Sequence, residues 1–123
     1  MEIPDNLLYT SEHEWILING DTAIVGITDF AQGELGDVIF VELPVVGELV
    51  NEKDTVGTIE AVKTVADIFS PLKGTISEVN VELEEMPEHI NNSPYNNGWI
   101  LKINNFDKSK NLLTAEEYKN IIE

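Results

Sequence analysis

Apolar and polar positions alternate along most of the chain in short runs, and glycine, proline and asparagine separate the runs. This is the pattern of short strands joined by tight turns. In "EWILINGDTAIVGI" two β-rich arms flank Asn19-Gly20, which predicts a hairpin closed by a type I′ turn, because both residues tolerate positive φ. "TDFAQGELG" offers Thr28 or Asp29 as a helix N-cap and Gly33 or Gly36 as a stop, so a short helical turn is expected there. The strand "DVIFVEL" follows and ends at Pro44.

A faint duplication starts at Gly36. "GDVIFVEL" and "GTISEVNVEL" begin at Gly36 and Gly74, and each is followed by a polar loop and a second strand opening on glycine, "GTIEA" from Gly57 and "GWILKI" from Gly98. The two halves would join at residues 61 to 66, which places Lys63 on the hairpin between them. Ser70-Pro71 and Gly74 mark a turn, and "EEMPEHINNSPYNNGW" reads as a loop with one helical turn starting at Pro87. The last helix, about residues 114 to 122, is announced by Thr114 and Glu117 in capping-box spacing, with Tyr118, Ile121 and Ile122 on one face. The expectation is one mostly β domain over residues 1 to 123, a sandwich or flattened barrel with short helices at its edges.

Composition then removes several kinds of function. The net charge of -16, 23 acids against 7 lysines and no arginine, argues against partners that need clustered cations: nucleic acid, phosphate-rich surfaces and anionic lipid. No apolar run approaches a membrane span. The first basic residue is Lys53, so residues 1 to 52 lack the cations of a secretory or transit signal, and a cytoplasmic protein is expected, or one of an organelle matrix if a transit peptide had been removed. Without cysteine there is no disulfide, thiol nucleophile or thiolate metal site.

The remaining chemistry centres on Lys63. Its near neighbours Glu60 and Asp67 favour the ammonium form, and a hairpin tip is wet, so it suits Schiff-base catalysis poorly. On composition alone a lysine there is an ordinary solvated side chain. The same position also suits an amine that another enzyme acylates and that then roots a long swinging arm.

Sequence context favours the second use. "GTIEAVKTVADIFSPLKGTISEVN" resembles the lipoyl-attachment segment of the glycine cleavage system H-protein family, usually close to G-x-x-E-S-V-K-A-x-S-D-x-x-S-P-x-x-G-x-x-x-x-V-N. Gly57, Glu60, Val62, Lys63, Asp67, Ser70, Pro71, Gly74, Val79 and Asn80 match it. The similarity extends to "YTSEHEW", "VGITDFAQGELGDVIFVELPVVG", "NNSPYNNGW" and "LLTAEEY", nearly the whole chain. Ala61, Thr64 and Ala66 replace the usual serine, alanine and serine, and Lys53 stands where a turn glycine is common, which implies mild positive-φ strain.

The resemblance implies a lipoyl/biotinyl-type barrel-sandwich hybrid of two antiparallel sheets, a monomer, with lipoate joined by an amide to Lys63 by a lipoate-attaching enzyme. It also implies a shuttle that is not itself a catalyst. The arm would take an aminomethyl group from the pyridoxal-phosphate-dependent glycine decarboxylase (P protein) and pass it to the tetrahydrofolate-dependent aminomethyltransferase (T protein), and dihydrolipoamide dehydrogenase (L protein) would reoxidise it. Glu14 and Asp67 are the candidates for holding the cationic end of a loaded arm by charge-assisted hydrogen bonds. An H-like protein that delivers lipoate to other acceptors would use the same lysine. A biotin carrier would usually flank it with methionine, where this chain has Val62 and Thr64.

Other residues invite simpler readings. His13 and His89 are too isolated for a metal site, Trp15 and Trp99 suit a core, and "NNS" at Asn91 has glycosylation spacing by chance, with Pro94 next.

Overall fold

A computed structural model describes residues 1–107 and 111–123. In chain order the elements are β1 (Leu8–Tyr9), β2 (Glu14–Asn19), β3 (Thr22–Ile27), α1 (Asp29–Leu35), β4 (Val38–Glu42), β5 (Leu49–Val50) and β6 (Thr55–Ala61). They continue with β7 (Val65–Phe69), β8 (Lys73–Val79), α2 (Glu82–Glu85), α3 (His89–Asn92), β9 (Leu101–Asp107) and α4 (Ala115–Ile122). The strands form two wholly antiparallel sheets, a larger one ordered β1-β2-β3-β9-β8-β5 and a smaller one ordered β4-β6-β7. This is the expected mostly β architecture with peripheral helices and a C-terminal helix.

The alternation of side chains explains why the sheets face each other. Ile16, Ala23, Val25, Ile76 and Ile103 point inward from the larger sheet, Val41, Ile59 and Ile68 from the smaller, and all lie in one buried cluster. Burying a chain of such side chains contributes roughly 1.5–3 kcal/mol each. The opposite face of β2 and β3 carries Trp15, Leu17 and Ile24, and there α4 packs with Tyr118 stacked on Tyr9 at 4.8 Å. Trp15 is buried and donates its indole N–H to the Pro94 carbonyl at 2.9 Å, whereas Trp99 is half-buried under Lys102.

The duplication is visible as pairing. Each copy's first strand pairs with its own follower, β4 with β6 and β8 with β9, and the β6–β7 hairpin carries the chain from one half to the next. α1 is capped by the Thr28 hydroxyl and stopped at Gly36, which has φ +78°, and α4 has both bonds of its capping box.

Four local expectations are corrected. The first hairpin turns at Gly20 and Asp21, since Asn19 pairs with Thr22, and only Gly20 takes positive φ (+62°), which excludes type I′. Both registers keep the same residues facing the core, so turn geometry decides between them. Gly74 lies inside β8 rather than in the turn, at a register shift where a Cβ would stand 2.5 Å from Ile103 Cγ2. The helical turn expected from Pro87 is α3, which starts at His89, and α2 precedes it where a strand was read to continue. Their buried Leu83 and Ile90 explain both, since each one-turn helix exists to deliver one side chain to the core. Lys53 does adopt the strained backbone expected of it, with φ +73°.

Candidate functional site

β6 and β7 pair from Thr55↔Phe69 to Glu60↔Val65, and the chain reverses over Val62 and Lys63, with the Ala61 N–H donating to the Thr64 carbonyl at 2.8 Å. The tip is held to the body by the Val62 N–H, which donates to the Asp37 carbonyl at 3.0 Å, between α1 and β4. Lys63 itself is exposed, and none of the ion pairs among the described residues uses it. It borders an open cleft of about 330 Å³ whose other walls include Glu34, Leu35, Asp37 and Val62. The outer face of the small sheet beside it carries exposed Phe40, Glu60, Val65 and Asp67. Phe40 faces out because a bulge between Val38 and Phe40 breaks the alternation of β4, leaving Ile39 and Phe40 each half-exposed.

Glu14 has a different setting. It opens β2 and is 2 % exposed. The Thr10 hydroxyl donates to its Oε1 at 2.6 Å and accepts from the Glu12 and Glu14 N–H groups, each at 3.2 Å. Burial pushes the Glu14 carboxyl up to about 7, against the opposing hydrogen bonds from Thr10 and from the Phe69 backbone. The residue before it, His13, has φ +70°, which turns the chain into β2, and its Nδ1 lies 2.8 Å from the Tyr118 hydroxyl, itself 2.7 Å from Thr28 Oγ1. Burial lowers the His13 pKa. His13 and Tyr118 are therefore bound into the packing of α4.

Glu14 lines a cleft of about 240 Å³ with Thr10, Lys53, Phe69, Pro71 and Leu112 among its walls; Lys63 and Asp67 are not among them. The strand from Lys63 to Phe69 spans six residues, about 20 Å when extended. The structure thus puts Lys63 and Asp67 on one hairpin and Glu14 at that hairpin's far end. Sequence reasoning missed Thr10, whose role depends on a tight turn before β2 that has no strong local signal. Among the described residues no cluster of histidine and acids could hold a metal, and no helix is long and apolar enough to cross a membrane.

Two antiparallel sheets wrapped round a common core, with an exposed lysine at the tip of a two-stranded arm, have the fold class expected of a lipoyl/biotinyl-type domain. The family model described as Glycine cleavage H-protein matches residues 7–123. The chain belongs to that family. It is 52% identical over 124 residues to the glycine cleavage system H protein of Bacteroides thetaiotaomicron, covering 99% of this chain and 98% of that protein. It is 48% identical over 124 residues to that of Staphylococcus haemolyticus, with the same coverage. The crystal structure of a glycine cleavage system H protein from Mycobacterium marinum superposes with a TM-score of 0.88 at 41% identity, covering 96% of this chain and 97% of that one.

Proposed function

We propose that Lys63 carries lipoate through an amide bond and that the chain is the lipoyl-carrying shuttle of a glycine cleavage system. The observation that carries this reading is the exposed Lys63 amine on the β6–β7 tip, in a chain of this family. The residues fit the group: Nζ is open to an acylating enzyme, and the paired strands below keep the root of the arm in place while the arm itself moves. When attached, lipoate supplies the dithiolane that takes up and gives back an aminomethyl group.

The protein's contribution is placement. It brings one tethered group at high effective concentration to each partner site, and no catalytic step is assigned to its own side chains. The partners are the glycine decarboxylase, the aminomethyltransferase, dihydrolipoamide dehydrogenase and the lipoate-attaching enzyme. The relatives' names point to glycine cleavage rather than to delivery of lipoate to other acceptors.

Glu14 is the residue proposed to hold the cationic end of a loaded arm, since its carboxylate is buried, bonded in place and open to a cleft. Asp67, exposed on the same hairpin as Lys63, would steer that cation from outside the cleft.

Intact mass after incubation with lipoate, ATP and a lipoate-attaching enzyme tests the attachment. One lipoyl increment is expected on the native chain and none on Lys63→Ala; an increment that survives the substitution rejects Lys63 as the site. For the cleft, Glu14→Ala should shorten the lifetime of the loaded arm, and an unchanged lifetime removes Glu14 from that role.

A further inference from the structure

Asn91 lies on α3, outside both the Lys63 hairpin and the Glu14 cleft, and its side-chain amide is directed at the segment that joins α1 to β4. Its Oδ1 accepts from the Val38 N–H at 2.9 Å, and its Nδ2 donates to the Gly36 carbonyl at 2.8 Å and to Gln32 Oε1 at 3.0 Å. Asp37 sits between the two backbone grips. Its carbonyl is the acceptor for the Val62 N–H at 3.0 Å, one residue before Lys63. The bond from the Ala61 N–H to the Thr64 carbonyl closes the tip on itself without tying it to the body.

We propose that Asn91 is a positioning residue for Lys63: its amide clamps the backbone on both sides of Asp37, so that the Asp37 carbonyl holds the hairpin tip in the orientation the attaching enzyme meets. The proposal rests on the reading of Lys63 as the acylated lysine. It also gives "NNS" a use that its glycosylation spacing does not.

The clamp needs an amide in one sense only. Rotated by half a turn, it would set NH₂ against the Val38 N–H and an oxygen against two oxygens. Aspartate has the same shape but would place a carboxylate against the Gly36 and Gln32 oxygens. Alanine would leave the N–H of buried Val38 without its acceptor. Either change removes at least one of the grips that flank Asp37 and so loosens the Val62 bond, which closes the β4–β6 ladder just beyond the Val38↔Ala61 pair. A tip that wanders by an ångström presents its amine less often in the geometry an acylating site requires.

The test uses the whole, unacylated chain in two measurements. In Asn91→Asp and Asn91→Ser the Val62 amide is expected to exchange with deuterium about tenfold faster, the effect of one lost tether, while amides of β3 and β9 stay within about twofold. In acylation assays with lipoate, ATP and the attaching enzyme, KM for the variants should rise about fivefold or more with kcat within about twofold, because encounter geometry is altered and chemistry is not. Gln32→Ala, which removes one of three contacts and neither backbone grip, should change both readings by less than about twofold.

Unchanged Val62 exchange, exchange that rises equally in β3 and β9, or a fall in kcat at constant KM overturns the proposal. If the native chain is never acylated, or Lys63→Ala is acylated as well as the native chain, the attachment reading fails and this proposal falls with it. Normal acylation beside an unmoved Val62 amide sinks the positioning role alone.

Discussion

At the scale of single residues, Glu14 shows how burial sets a titration. Its folded pKa, about 7, stands above the unbonded value of 4.5, so the folded chain binds that proton more tightly than the unfolded chain does. The stability contributed by the protonated carboxyl is complete below the unfolded value and is lost as pH rises through the folded one. Glu14→Gln keeps the shape and an oxygen for Thr10 but cannot ionise. The variant's stability relative to the native chain, read from urea midpoints, should therefore improve by about 3 kcal/mol between about pH 4 and about pH 8. A flat difference over that range would show that the carboxyl is not buried as described. The place of Lys63 at an exposed hairpin tip was legible in the sequence because its surroundings are local, a two-residue tip with acids three and four positions away. The burial of Glu14 was not, because it comes from Thr10, Phe69 and the cleft walls, which are brought together only by folding.

At the scale of elements, the identity of the main strands and of α4 followed the apolar period, and the boundaries followed chemistry that short windows hide. The hairpin turn moved to Gly20 and Asp21 because one positive φ is needed there and glycine supplies it. The one-turn helices α2 and α3 were hard to see because each has a single buried side chain and no period to detect. The capping box of α4 was legible, since both partners lie within four residues, and Thr114→Ala should cost about 1 kcal/mol and raise amide exchange in the first turn of α4. No loss of stability would mean that the packing of Ala115 and Tyr118 and the contacts of Tyr118 with Tyr9, His13 and Thr28 hold the helix without the box. Gly57 is a sterner case: a Cβ there would strike the Glu42 backbone carbonyl across the β4–β6 pair, which cannot yield without losing register. Gly57→Ala is expected to destabilise by about 2 kcal/mol or more, measurable by urea denaturation, and a neutral result would contradict that contact.

At the scale of the whole molecule, charge works against compactness. Twenty-three acids face seven lysines, and only three ion pairs form among the described residues, one of them with His89. Salt should screen the resulting self-repulsion, so the urea midpoint is expected to rise from about 10 mM to about 500 mM sodium chloride. A midpoint that falls would mean that the few attractive pairs outweigh the excess. The architecture was legible from strand pattern and internal duplication, whereas the bonds from Asn91 on α3 to the segment joining α1 and β4 link residues more than fifty positions apart and had no local mark. That the tip is closed through the Ala61 main-chain N–H and tied to the body through that of Val62, and not through its own side chains, leaves the identity of the residues around the lysine open to change. Evolution, or a protein engineer, could rewrite positions 62 and 64 to suit a different acylating enzyme while the amine kept its address, much as a lock can be re-keyed without rehanging the door.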